Sequence, residues 1–334
     1  MTSMSTASVK FSRDVLQLDE QAEIERICKS LRETTSRTLR KRGLVVAISG
    51  GVDSSVCAAL AVKAVGANKI CSLILPEHDS AGESASRAEQ LSKQLGLEPI
   101  TMHMGPTLEA IGCYRWRDDA MRRVIPTYTE KWRSKIVIRG GASGQINRFH
   151  LIAEDPEGVT HDVRMGLPEY LQIVAATSFK QRTRKMLEYF HADRLNYAVI
   201  GTPNRLEYDQ GFFVKTGDGA ADIKPIAHLY KTQVYALARA MNLPEDITSA
   251  RPTTDTYSLA QGQDEFYFAL PYEQMDLALW ALNHQVAAAD AAPVIGISVQ
   301  QTEHVYADIV TKRNSTQYLH ARPILIDPVP EVHS

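Results

Sequence analysis

Two rhythms of apolar residues alternate along this chain, and their order predicts its architecture. After a Ser/Thr-rich start read as a flexible tail over residues 1–13, Val15, Leu16, Ile24, Ile27 and Leu31 recur at helical spacing between about Asp14 and Leu39. Leu44-Val45-Val46-Ala47-Ile48 is instead a short unbroken run rich in β-branched residues, as expected of a strand covered on both faces of a parallel sheet. Ser54 to Val65 then favours helix, Ile70 to Leu75 a second strand, Ser84 to Leu95 a helix closed by Gly96, and Pro99 to Met104 a third strand. A helical region around Tyr170 to Phe190 leads into a fourth strand, Tyr197 to Ile200. This order predicts an α/β fold, a doubly wound parallel sheet flanked by helices, with ligands at the carboxyl ends of the strands. Cys113 to Gly166 breaks the rhythm with Trp116, Trp132, several arginines and glycine turns, and reads as an insertion, about 113–166, in a single domain spanning 14–334. Its aromatic and basic residues suit either a cover for the acceptor pocket or a subunit contact. Further helices are expected near Tyr230 to Met241, Pro271 to His284 and Ser298 to Lys312.

Composition narrows the function classes. A 44% hydrophobic and 23% charged chain without a long apolar run excludes a membrane span, and the start lacks the pattern of a secretory signal, so the cytoplasm is the expected compartment. Cys28, Cys57, Cys71 and Cys113 lie far apart, without a Cys-x-x-Cys pair, and are expected as buried free thiols. The net charge of −2 argues against a nucleic-acid partner.

The strongest chemical signal is Ser49-Gly50-Gly51-Val52-Asp53-Ser54, between the first strand and its helix. Paired glycines admit a phosphate close to the backbone, serine hydroxyls and N–H groups face its oxygens, and the helix N-terminus adds positive partial charge. Asp53 would repel a bare phosphate, so a divalent cation, naturally Mg²⁺, is expected between them. The P-loop spacing and the Gly-x-Gly-x-x-Gly dinucleotide fingerprint are both absent.

The hexapeptide resembles the loop of the N-type ATP pyrophosphatases, which have an adenine nucleotide α-hydrolase-like fold. By itself it leaves NAD synthetase, GMP synthetase, asparagine synthetase and tRNA thiolation enzymes open. A longer match follows: Gly201-Thr202-Pro203-Asn204-Arg205-Leu206-Glu207, the stretch Gly211 to Pro225 that contains Lys215-Thr216-Gly217-Asp218-Gly219, Leu229-Tyr230-Lys231-Thr232-Gln233-Val234, and Arg251-Pro252-Thr253-Thr254-Asp255. These are similar to the successive motifs of the NAD synthetase family, which uses ATP to adenylate and then amidate nicotinic acid adenine dinucleotide (deamido-NAD).

The resemblance implies that Asp53 and Glu207 bind Mg²⁺, that ATP is held by Ala47, Ile48, Ser49, Gly50, Gly51, Val52, Asp53 and Ser54 together with Thr202, Lys231 and Thr253, and that Arg182, Lys215 and Asp222 face the dinucleotide. It gives Asp53, Lys231 and Asp222 catalytic roles, Asp222 as acceptor of the proton that ammonia loses. It also implies a homodimer. Two departures stand out. The loop Leu75 to Ser84 lacks the acidic run of many ammonia-using members, and Thr311-Lys312-Arg313 stands where a His-Lys pair usually touches the dinucleotide, which makes Thr311 and Lys312 the expected contacts. The alternatives are the same chemistry on another carboxylic acid, or a nucleotide-binding regulator without turnover. Only about forty residues precede the first strand, so free ammonia, or ammonia from a separate glutaminase, is the expected nitrogen donor.

Overall fold

The computed structural model describes residues 11–80, 82–139, 148–250, 252, 257–259, 261–262, 267–268 and 270–332. Its centre is a parallel sheet in the order β3-β2-β1-β7, from β1 (Leu44–Ala47), β2 (Ile70–Ile74), β3 (Ile100–Thr101) and β7 (Ala198–Val199). Leu44 pairs with Ile70 on one side and with Ala198 on the other, so the strand order reverses beside β1. Ligands of open α/β sheets bind at such a reversal, outside the carboxyl ends of the strands.

Side chains alternate across β1. Leu44, Val46 and Ile48 join the core beneath α1 (Glu20–Glu33), α2 (Val52–Val65) and α8 (Lys231–Ala240). Val45, with Leu73 and Val199, packs instead on Met104, Leu108, Ala176 and Ala192, which belong to the opposite layer around α4 (Gly105–Ile111), α5 (Cys113–Val124) and α6 (Leu167–Leu195). Both faces of the strand are buried, which is why its sequence is an unbroken apolar run.

The structure redraws several sequence boundaries. Phe11 is already packed, stacking on Trp280 with ring centroids 5.5 Å apart, and a 3-10 turn spans Arg13–Leu16. The expected Asp14 to Leu39 helix begins only at Glu20, because Asp19 accepts the Ala22 N–H at 2.9 Å and caps a fresh start; a π turn, Thr34–Thr38, ends it. The stretch around Cys113 to Gly166 holds α5 and an antiparallel sheet of β4 (Arg133–Arg139), β5 (Arg148–Glu154) and β6 (Thr160–Arg164), built on a core with Met121, Tyr128, Trp132, Ile136 and Leu151. After β7 come α7 (Arg205–Gln210), α8, α9 (Glu245–Thr248), α10 (Tyr272–Asn283), α11 (Ala288–Ile295) and α12 (Val299–His320), the last running well past the Lys312 end expected from the sequence. All four cysteines are buried free thiols. Among the described residues no helix is long and apolar enough to cross a membrane.

Candidate functional site

A cavity of about 760 Å³ opens where the strand order reverses, and the Ser49 to Ser54 loop forms one wall of it. The loop holds its own shape. The Ser49 N–H donates to Ser54 Oγ at 3.2 Å, the two hydroxyls lie 3.0 Å apart, and the Ser54 and Ser55 hydroxyls donate to the Gly51 carbonyl at 3.0 and 2.8 Å. Gly50 is required on two counts. Its φ is +79°, and a Cβ there would lie 2.3 Å from the Ser84 carbonyl oxygen. No side chain caps the N-terminus of α2 at Gly51, which leaves the first N–H groups of the helix to an anion in the cavity. Ala47, Ile48, Gly51, Val52 and Thr202 line the same space.

Across from the loop, Lys231 at the start of α8 is 2% exposed and ion-pairs with Asp53. Burial alone would push its amine down, yet the Asp53 and Glu207 carboxylates together hold it well above the usual lysine range. Asn204 joins these groups. Its Nδ2 donates to Asp53 Oδ1 at 3.1 Å, its Oδ1 accepts the N–H groups of Leu206 and Glu207, and Glu207 Oε2 accepts the Asn204 N–H at 3.1 Å. This reciprocal cap starts α7 and turns Glu207 into the cavity beside Asp53. Asn204 is not among the site residues expected from the sequence, although the Asn-x-x-Glu spacing of a helix cap is legible there. Asp276, also unassigned, anchors α8 from below by accepting the N–H groups of Lys231 at 3.2 Å and Thr232 at 2.7 Å.

Among the described residues no cluster of three or more His, Cys, Asp or Glu side chains gathers to grip a metal by itself. Magnesium does not need one, since it keeps water and takes one or two carboxylates plus substrate phosphates. The pair Asp53 and Glu207, facing one cavity with an anion cradle beside it, fits that requirement.

Arg87 also lines the cavity. It donates weakly to Ser84 Oγ at 3.4 Å, while its buried Nε has no hydrogen-bond partner among the described residues. The far end is built by α6 and the loop after α7. Arg182 donates to the Lys215 carbonyl at 3.2 Å, and Lys215 Nζ donates to the carbonyls of Tyr318 and Ala321 at 2.6 and 3.1 Å, closing the C-terminus of α12. The Lys185–Glu188 pair, 2.6 Å apart and buried, lines this end with Asp218, and burial raises both carboxyls above the usual range. The loop after β2, whose sequence departs from the family pattern, is pinned from outside: buried Lys180 reaches Glu77 at 3.2 Å and Asp79, which also binds Arg117.

Three of the expected contacts lie apart from the cavity lining. Asp222 accepts the Val199 N–H at 2.7 Å and the Tyr189 hydroxyl at 3.4 Å, bracing the end of β7. Thr311 donates to the Ala307 carbonyl within α12, and Lys312 turns its amine to Asp308 and the Tyr267 carbonyl. The unbroken α12 carries Tyr318 and Leu319, about two turns further on, to the cavity instead. Thr253 lies outside the described residues.

A parallel sheet with a glycine loop and a buried Lys–Asp pair at its reversal point defines an α/β protein of the adenine nucleotide α-hydrolase-like fold. The solved structure of an NH3-dependent NAD synthetase from Campylobacter jejuni has the same fold, with a TM-score of 0.60 and 21% identity over 93% of this chain and all of that one. So has an NMN synthetase from Francisella tularensis, with a TM-score of 0.63, 21% identity, and 92% and 99% covered. The chain belongs to the NAD synthase family, whose sequence profile matches residues 23–138 and 160–318. It is 54% identical to an NH(3)-dependent NAD(+) synthetase of Rhizobium meliloti, over 96% of both chains, and 40% identical to one of Thermotoga maritima, over 75% of this chain and 84% of the relative. The profile match is interrupted between residues 138 and 160, a narrower stretch than the one read as an insertion.

Proposed function

We propose that this chain converts deamido-NAD to NAD in the cytoplasm, with ATP as the activating co-substrate and ammonia as the nitrogen donor. The observation that carries this reading is one cavity with an anion cradle and the Asp53–Lys231 pair at one end, and Arg182 and Lys215 at the other. It is supported by 54% identity across nearly the whole length of a relative named for that reaction.

The substrate carboxylate attacks the α-phosphorus of ATP, and the bond to the β-phosphate oxygen breaks to give an acyl adenylate and pyrophosphate. Ammonia then adds to the acyl carbon, AMP leaves with the bonding pair, and the nitrogen loses a proton. The loop Ser49 to Ser54 and the α2 N-terminus hold the departing pyrophosphate, while Lys231 places its charge on the same oxygens. A magnesium ion held by Asp53 and Glu207 would neutralise the negative charge that accumulates there. Arg182 and Lys215 orient the dinucleotide. Asp222 takes the proton from the nitrogen only if substrate binding frees it from Val199 and Tyr189, and full turnover by Asp222→Asn would remove that role. Two copies form the working unit.

The decisive experiment is magnesium-dependent NAD formation from deamido-NAD and ATP, run with ammonium and with glutamine. Product with ammonium and none with glutamine is expected. ATP–pyrophosphate exchange that ignores deamido-NAD would sink the reading.

A further inference from the structure

A second groove, of about 640 Å³, runs along the outer side of α7, separate in its lining from the cavity. Arg205 and Tyr208 come to it from α7, Lys224 and His228 from the loop before α8, and Arg313 and His320 from α12. Asp209 is the acid in this lining, and Arg313 clasps it through two bonds of 2.6 and 2.7 Å, with Arg205 at 3.9 Å. His228 turns to Glu23 at 2.6 Å.

Lys224 is different. Its ammonium lies over the rings of Tyr208 and Phe213, 4.8 and 5.4 Å from their centroids, and pairs with no carboxylate among the described residues. His320 stands edge-on to the same two rings, at 4.8 and 5.1 Å. Burial lowers the Lys224 amine and Lys185 pushes the same way, against a smaller upward pull from Asp218; burial also lowers the His320 imidazole, with Lys224 adding to it and Asp209 opposing. An ammonium held on an aromatic floor without a carboxylate in contact keeps hydrogen bonds to offer an anion. With Arg205, Arg313 and His228 beside it and Asp209 the acid in the lining, the groove carries more basic than acidic groups.

We infer that this groove is a second anion site, which takes the phosphate group of a small phosphorylated ligand between Lys224 and Arg205. A tetrahedral dianion offers several acceptors to a guanidinium and an ammonium at once. The site stands independently of the carboxylate that the cavity activates. It is also placed to be felt there, because Tyr208 adjoins Glu207 on α7 and the Lys224 stem would lie 3.1 Å from a Cβ at Gly201.

The test is a calorimetric titration of inorganic phosphate into the full chain with the cavity first filled by a non-hydrolysable ATP analogue. A phosphate site that survives the analogue, and weakens at least tenfold in both Lys224→Gln and Arg205→Gln, is expected. Should Lys224→Gln fail to fold, judged by its melting curve, Arg205→Gln carries the comparison. A parallel titration with AMP separates the sources: displacement of phosphate by AMP points to a nucleotide, its absence to free phosphate, and either result leaves the site standing. Loss of all phosphate binding once the analogue is present, or equal affinity in the variants, overturns the inference.

Discussion

Lys231 is buried, charged and bound to an acid that, in the proposed reaction, also faces the leaving phosphates, so its removal does two things at once. The pyrophosphate loses a cation, and Asp53 is left facing it unneutralised. Loss of a preorganised charge of this kind typically costs about a hundred- to a thousand-fold in rate. Lys231→Met is therefore expected to lower ATP–pyrophosphate exchange by at least about a hundred-fold while the fold survives; exchange within a few-fold of the parent would refute the role. Gly50→Ala tests the cradle beside it. A left-handed backbone costs a side chain roughly 1–2 kcal/mol, and the added Cβ would also strike the Ser84 carbonyl, so both a lower Tm and loss of exchange are expected. A variant of unchanged Tm would show that the loop relaxes freely.

Asp276 makes a pH prediction at the same scale. Full burial raises its carboxyl to about 7, against the lowering pull of the N–H groups of Thr232 and Lys231. The folded pKa lies above the unfolded one, so the folded chain binds the extra proton between them. Its contribution to stability is complete below about pH 4 and is lost as the pH rises through about 7. Denaturant titrations should show this as roughly 2–4 kcal/mol lost between those limits, a slope that Asp276→Asn flattens. An identical slope in the variant would assign the pH dependence elsewhere. The resemblance of local motifs pointed to Asp53, Glu207 and Lys231, which the structure brings together at the cavity. It was silent on Asp276, whose role exists only where α10 passes under α8, some 45 residues from the Lys231 it supports.

At the scale of elements, legibility followed the range of the forces involved. β1, β2 and the helix after β1 were read nearly to the residue, because two-sided burial leaves an unbroken apolar run and a glycine turn ends it. The antiparallel sheet after Trp132 is not legible in the sequence, since its short strands mix charged and apolar residues without a clean period and are set by pairing with one another, as Ile136 is with Leu151. α12 was cut short at Lys312 for a related reason: its last two turns are polar, and its end is fixed by Lys215 from another segment. That contact makes Lys215 the closure of a helix whose end lines the cavity. Lys215→Met is thus expected to free residues 319–332 to proteolysis and to raise the KM for the dinucleotide several-fold more than that for ATP. Equal shifts in both KM values would place Lys215 nearer the nucleotide.

Among the described residues, α6 keeps a long exposed apolar stripe. α6 is about 44 Å long, and its Leu167, Leu171, Met186 and Phe190 are each more than half exposed. At 3.6 residues per turn these four fall within an arc of roughly 140°, a stripe on one side of the helix, whereas a lone exposed leucine would need no explanation. At the same spacing Arg182 falls within that arc and Lys185 on its edge, so the stripe runs beside residues that α6 brings to the far end of the cavity. A second copy covering the stripe would stiffen the helix that positions the dinucleotide, which ties assembly to substrate binding in the proposed dimer. Sedimentation of the parent at micromolar concentration is expected to give a dimer, and Leu171→Asp with Met186→Glu a folded monomer. The monomer should keep its affinity for ATP, held at the opposite end of the cavity, and bind deamido-NAD at least tenfold more weakly. A parent that sediments as a monomer would remove the assembly, and a monomeric variant with unchanged dinucleotide affinity would keep the dimer while cutting its link to the site.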